Sequence, residues 1–344
     1  MQGLFRTVLA SEFQGETVAP NAHITPAPVK DDVSSATSQH RGVFRRLFST
    51  FRNKHRLAWG IMLTLIGGSL WGMNATLSMH IMSCYHADPL WLACVRELCT
   101  SVLFLSLAAY TMPHKLHALL HTKKDMWMML VMAFDVILMS QVSYLEAIAR
   151  TNSATATVLQ NLGVILVMIY VCVVNRRRPR KRELAGLILA VLGTYFIATG
   201  GDPTRLILPL DGFLWGMVGA CAAALLSIQP LKYMHRYGNF AVNGLCFLFA
   251  GVILACYCRP WTCVPAFDAA GWLCMVATVL VGTFGAYAFF LEGVKEVGSV
   301  RGVMLGTSEP LAATISACAV MGVMFSPGEL LGFAMVIVMV FLTA

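Results

Sequence analysis

Residues 144–164 read YLEAIARTNSATATVLQNLGV, and residues 290–310 read FLEGVKEVGSVRGVMLGTSEP. Laid on one another at an offset of 146, they put Leu145-Glu146 on Leu291-Glu292, Ser153 on Ser299 and Leu159 on Leu305. The register runs ungapped from 144–198 onto 290–344, with Glu183-Leu184 on Glu329-Leu330 and Gly186 on Gly332. Identity is low, and periodic apolar composition accounts for part of the match. Polar residues that agree at one spacing are harder to obtain by chance, so an internal repeat is expected.

The sequence around these stretches is that of a membrane protein. Of its 344 residues 58% are hydrophobic and 12% charged, and the mean hydropathy is +0.70. A soluble domain carries about 25% charged residues, so half of an ordinary water-facing surface is missing here. A helix crosses the hydrocarbon core with about 20 apolar residues. Ten segments qualify or nearly so: 58–80, 88–111, 126–147, 153–174, 183–200, 212–231, 239–258, 269–291, 299–324 and 326–344.

Charge orients them. Lys and Arg gather in alternate connections: 41–56, then 113–125, then the run NRRRPRKRE at 175–183, then Lys232 with Arg236, then Lys295. The other connections hold only Arg150, Arg205 and Arg259. Basic short loops mark the cytoplasmic side, so both termini are predicted cytoplasmic, in the cell (inner) membrane. The net charge of +8 is thereby assigned to lipid rather than nucleic acid. Residues 1–40 are polar and lack a signal-peptide core, and read as a disordered leader. Residues 41–57 alternate basic and apolar faces at helical spacing, as a helix lying on a membrane surface does; a flexible basic leader is the other reading.

The offset of 146 pairs span three with eight, four with nine and five with ten. Each half, 58–200 and 212–344, then has five helices, and an odd number inserts the second half upside down. The expected fold is an all-α membrane protein of ten transmembrane helices in two inverted five-helix repeats. Many secondary transporters are built so, with the solute bound near the midplane.

At these residues the chain resembles the EamA family of the drug/metabolite transporter superfamily, over roughly 58–344. The resemblance rests on Glu309-Pro310 within SVRGVMLGTSEPLAA at 299–313, and on Gly328-Glu329 before Gly332. Ala154–Gln160 with Glu183 match in the first half, and Pro89 with Arg96 and Trp71-Gly72 also fit. Where the family's first half commonly has Pro, this chain has Val164, so a kink is not expected there. The resemblance implies transport of metabolites, amino acids among them, and one related branch is linked with choline uptake. A secondary transporter is expected, moving an amino acid or related metabolite outward by alternating access. Uptake of a small quaternary amine is the alternative.

A charge inside the membrane is costly and marks function. At about 1.5 Å per residue, Asp135 and Glu309 fall near the midplane. Gln160 and Asn161 lie at a similar level, Trp71 slightly further out, then Asn74. These six form the candidate substrate-binding or coupling layer. Glu309 would bind a cationic group or carry a coupling proton, and Pro310, which lacks an N–H, would loosen its helix. Arg96-Glu97 would pair internally or with another acid, and Glu146 with Arg150 would pair at a helix end. The closely placed glycines read as ordinary membrane packing.

No cofactor is called for. There is no phosphate loop, no His-Glu-x-x-His and no paired metal carboxylates, and the nine His lie mainly in the leader and loops. Cys256, Cys258 and Cys263 lack a fourth zinc ligand; a disulfide between two of them stays open. Neither an enzyme nor a channel finds its required groups. The partners are then a small solute, a proton and lipid, with the carrier a monomer or homodimer.

Overall fold

The computed structural model describes residues 35–174, 176–202, 207–297, 302 and 305–343, and these form helices with no strand among them. The leader expected at 1–40 lies outside the described residues as far as 34. Helix α1 is assigned over Ser35–Cys84. Its residues from Gly60 belong to the compact unit Gly60–Ala344. Then come α2 (Pro89–Thr111), the short α3 (Pro113–His121) and α4 (Lys123–Arg150). Next are α5 (Ser153–Val174) and α6 (Lys181–Thr199), and after a connection α7 (Leu210–Ile228), α8 (Leu231–Tyr237) and α9 (Asn239–Cys258). Helix α10 passes from Ala269–Ala277 through Thr278–Gly285 to Ala286–Val297, and α11 (Ser308–Met321) and α12 (Pro327–Thr343) close the chain.

Local chemistry sets the helix ends. Asp88 accepts the amides of Leu90 and Trp91 at 2.8 and 3.1 Å, and Pro89 occupies the first helical position of α2, where its missing N–H costs nothing. Asn152 caps α5 through the Thr155 amide at 2.8 Å. Gly200, at φ 62°, ends α6 in the left-handed turn that glycine adopts freely.

Seven helices among the described residues are long and apolar enough to cross a membrane, and Leu210–Leu226 and Pro327–Leu342 are shorter apolar helices. The expected ninth span, 299–324, lies partly outside the described residues, and its described part is mostly α11. Large apolar side chains such as Val102, Ile188, Val191, Ile315 and Phe341 face outward, as lipid-contacting residues must. The eleven cysteines are all free, so no pairing among Cys256, Cys258 and Cys263 forms.

Helix pairing has a pattern. α2 lies along α9, α6 along α12, α4 against α7, and α5 against α11. α1 reaches α10 closely: a Cβ on Gly67 would fall 2.6 Å from the Phe290 amide nitrogen. The offset of 146 reappears in the backbone. α4 starts at Lys123 and α10 at Ala269; α6 starts at Lys181 and α12 at Pro327. Both α4 and α10 contain a π-helical stretch, Ala133–Leu138 and Thr278–Gly285, at corresponding places. Glu183 accepts the Arg180 amide at 2.6 Å, and Glu329 accepts the Ser326 amide at 2.8 Å. α5 is interrupted at Leu162, and the helical chain preceding α11 is interrupted at Thr307. The first interruption arises without proline, beside Gly163, where the sequence carries no kink signal.

Candidate functional site

A cavity of about 120 Å³ opens where α1, α2, α4, α5, α7, α10 and α11 meet. One water needs roughly 10–15 Å³ of such space, so the cavity has room for a small solute. Four of the six residues expected in the polar layer line it: Trp71, Asn74, Gln160 and Glu309.

The other two do not. Asp135 lies in the π-helical stretch of α4 and accepts a hydrogen bond from Gln229 at the end of α7, at 3.0 Å. Asn161 turns its amide onto the Thr157 carbonyl at 2.8 Å. It sits with Pro310 in a tightly filled crevice against Val336 and Val340 of α12. Pro310 falls in the first turn of α11, where no intrahelical donor is lost.

The strongest charge in the cavity is one for which the sequence suggested a different partner. Arg96 lines the cavity with only 3% of its surface exposed. It donates to Ser78 Oγ at 3.3 Å and to the Gln141 side-chain oxygen, and its Nε is buried with no partner. Consecutive residues on a helix point about 100° apart, so Arg96 and Glu97 face different neighbours. Glu97 is not among the lining residues. Ser140, Gln141, Tyr144, Thr283 and Tyr287 also line the cavity, and depth along a span did not single them out. One signal was available, since Gln141 and Tyr287 stand at the repeat offset from each other.

The wall is held by ordered polar contacts. Asn74 donates to Thr283 Oγ1 at 3.3 Å, and Thr283 in turn donates to the Thr278 carbonyl at 2.9 Å inside the π-helical stretch. That leaves Asn74 Oδ1 buried and without a donor. Thr157 spends its one hydroxyl proton on the Ser153 carbonyl at 2.7 Å, so Tyr144 is the donor in their 2.6 Å contact. Trp71 packs edge-on to Tyr287 and against Phe290, at centroid distances of 4.8 and 4.7 Å.

Small residues bring Glu309 to this place. A Cβ on Gly72 would collide with the Glu309 carbonyl oxygen and lie 2.7 Å from the Ala313 nitrogen. Glycine there lets α11 press directly on α1. Glu309 forms no ion pair among the described residues. Tyr144 and Tyr287 lie within electrostatic reach of both Arg96 and Glu309. The cavity thus holds a guanidinium and a carboxyl group that do not neutralise each other, an unfilled acceptor on Asn74, and aromatic walls. No group of three or more His, Cys, Asp or Glu suited to a metal occurs among the described residues.

Comparison with known proteins supplies the family. The model of the EamA-like transporter family matches residues 58–199 and again 210–344. An uncharacterized inner membrane transporter, YicL, of Salmonella typhimurium is 26% identical over 278 residues, covering 81% of this chain and 92% of that protein. An uncharacterized transporter, YwfM, of Bacillus subtilis is 22% identical over 279 residues, covering 80% and 90%. One solved crystal structure superposes with a TM-score of 0.58 at 15% identity, over 82% of this chain and 95% of that one. At that identity the likeness is one of fold.

Proposed function

The chain belongs to the EamA-like transporter family, and from that premise we propose that this membrane transporter carries a small zwitterion, an amino acid or close relative. The observation that carries the reading is that Arg96 and Glu309 share one cavity and neither forms an ion pair among the described residues. A carboxylate on the substrate satisfies the Arg96 guanidinium, including its orphaned Nε; an ammonium satisfies Glu309 and Asn74 Oδ1. A buried charge left without its partner is costly, about 3–5 kcal/mol when one member of a pair is removed. A solute bearing both groups therefore fits better than one bearing either alone. A quaternary amine would find aromatic faces in Trp71 and Tyr287 but would leave Arg96 unanswered.

The mechanism we propose is alternating access, with ten spans in two inverted halves rocking about the cavity in the cytoplasmic membrane, both termini inside. The double match of the family model and the backbone features shared at the offset of 146 support two like halves. The alternation of basic connections supports their opposite insertion. Glu309 takes either the ammonium or a proton, never both. Binding is then an exchange, and an inward proton gradient drives the solute outward.

The test is counterflow in liposomes with radiolabelled amino acids and quaternary amines, for the wild type, Arg96→Gln and Glu309→Gln. Saturable exchange of zwitterions, lowered about a hundredfold or more in both variants, is the expected result, in keeping with the loss of one partner of a buried charge. Exchange of quaternary amines that survives Arg96→Gln would transfer the protein to the other substrate class.

A further inference from the structure

Glu97 is a carboxyl group inside a transmembrane helix for which the zwitterion reading has no use. It is wholly buried, at 0% exposure. Both of its oxygens are enclosed and have no hydrogen-bond partner. It lies outside the cavity lining, on α2, the helix that packs along α9 and against the π-helical stretch of α10. The ionisable groups within its electrostatic reach are Arg96 and Cys94 on its own helix, Cys258 of α9 and Tyr287 of α10. Arg96 alone among them is charged, and its hydrogen bonds go to Ser78 and Gln141.

An ionised carboxylate with no donor to either oxygen is costly to bury in a membrane helix. A proton removes that charge. The contrast with Glu309 is one of environment: Glu309 borders the polar cavity, whereas Glu97 is enclosed away from it.

We propose that Glu97 is a second proton-binding site, and that its proton keeps Arg96 free for the substrate's carboxylate. When Glu97 ionises, it becomes the competing anion for the neighbouring guanidinium, and the substrate's carboxylate is displaced. Substrate binding then has two pH limbs. Glu309 must be ionised to hold the ammonium, which sets the acid limb; Glu97 must be protonated, which sets the alkaline limb. The proposal rests on the assignment of Arg96 to the substrate carboxylate, and the two are tested separately.

The first measurement needs no substrate. Dicyclohexylcarbodiimide is hydrophobic and reacts with protonated carboxyl groups. The acid O–H adds across a C=N bond, and acyl migration to nitrogen gives a stable N-acylurea with nothing lost. Peptide mass spectrometry of the full-length protein in detergent should find the adduct on Glu97 at pH 7, persisting in Glu309→Gln and declining as pH rises. The absence of an adduct on Glu97 between pH 6 and 8, in protein shown to be folded, overturns the proposal. The second measurement is counterflow of a mixture of radiolabelled neutral amino acids from pH 5 to 9. Glu97→Gln, fixed in the neutral form, should exchange at least about tenfold faster than the wild type at pH 9, with the acid limb unmoved. An alkaline limb identical in the two proteins also overturns it. If instead Arg96→Gln exchanges as the wild type does, the substrate reading fails while the adduct on Glu97 still reports the proton.

Discussion

The two halves of the chain share their backbone irregularities and differ where they meet the cavity. At the offset of 146, helix starts, π-helical stretches and capping carboxylates coincide. At that same offset Gln141 stands opposite Tyr287, Gln160 opposite Gly306, and Gly163 opposite Glu309. What repeats is the set of helix starts, π-helical stretches and caps; what does not repeat is the side chains at the cavity. The cation comes from the first half and the carboxyl group from the second, so a solute bridging Arg96 and Glu309 bridges the halves. A π-helical turn, which often marks a functional site in a helix, here brings Thr283 to the cavity wall in α10 and carries Asp135 away from it in α4.

The hardest way to break this comparison is at its most unequal pair, Gly163 and Glu309. A Cβ on Gly163 would stand 2.6 Å from the Ala220 carbonyl oxygen of α7, a backbone atom that cannot step aside. Gly163→Ala is expected to cost about 1–3 kcal/mol through overpacking, seen as a lower midpoint in a thermal melt in detergent. Glu309→Ala removes a side chain that borders open space and has no ion pair among the described residues. It should leave the melt within about 1 kcal/mol of the wild type and abolish counterflow. If Gly163→Ala melts as the wild type does, the first-half position is not a packing position and the contrast is gone.

The same contrast explains how far the sequence could be read. Helix rise is fixed, so depth along a span can be estimated from the sequence, and of the six residues so chosen Trp71, Asn74, Gln160 and Glu309 line one cavity. Azimuth is not legible in the same way. A π-helical turn takes up one additional residue and rotates the remainder of its helix by roughly 100°, and nothing in AFDVIL announces it. Asp135, within that stretch, is at the right depth but faces Gln229. Asn161 lies at the end of a helical segment and folds its amide back on the Thr157 carbonyl. Arg96 was legible as a buried charge, yet its adjacency to Glu97 pointed away from the partners it bonds, Ser78 and Gln141. The repeat itself was legible because caps are local: Glu183 and Glu329 each serve an amide three residues back.

Those two caps sharpen the comparison at intermediate size. Glu183 also holds Arg177 through two bonds of 2.8 Å, with its side chain only 11% exposed. Glu329 has the Ser326 amide and receives no such pair among the described residues. Charge-assisted bonds contribute about 1.5–3 kcal/mol and a helix cap typically about 1. Glu183→Ala is therefore expected to destabilise by roughly 2 kcal/mol and Glu329→Ala by about 1, measured side by side by denaturant titration in detergent. Equal losses would mean that the Arg177 pair contributes nothing beyond the cap.

The smallest difference lies where α4 and α10 begin. Thr122 precedes α4 and makes no side-chain cap, whereas Asp268, at the corresponding place before α10, accepts both the Tyr85 hydroxyl and the Gly271 amide at 2.7 Å. The Tyr85 hydroxyl, and after it the Gly271 amide, hold the Asp268 carboxyl below its ordinary range, and the same bond pushes Tyr85 up to about 12. A carboxylate so lowered stabilises the folded form fully above its ordinary range, and that contribution is lost as pH falls through the lowered value. The tyrosine side of the bond fails only as pH climbs toward 12. Tyr85→Phe removes the larger cause, so Asp268 should take up its proton at a higher pH than in the wild type. Hydrogen exchange at the Gly271 amide, compared between the two proteins from pH 3 to 7, reads this directly. Protection should begin to fall at a higher pH in Tyr85→Phe, while amides in the first turn of α4 respond alike in both proteins. Identical pH profiles at Gly271 would show that the backbone amide alone sets the cap, and that the two helix starts differ by a single hydrogen bond.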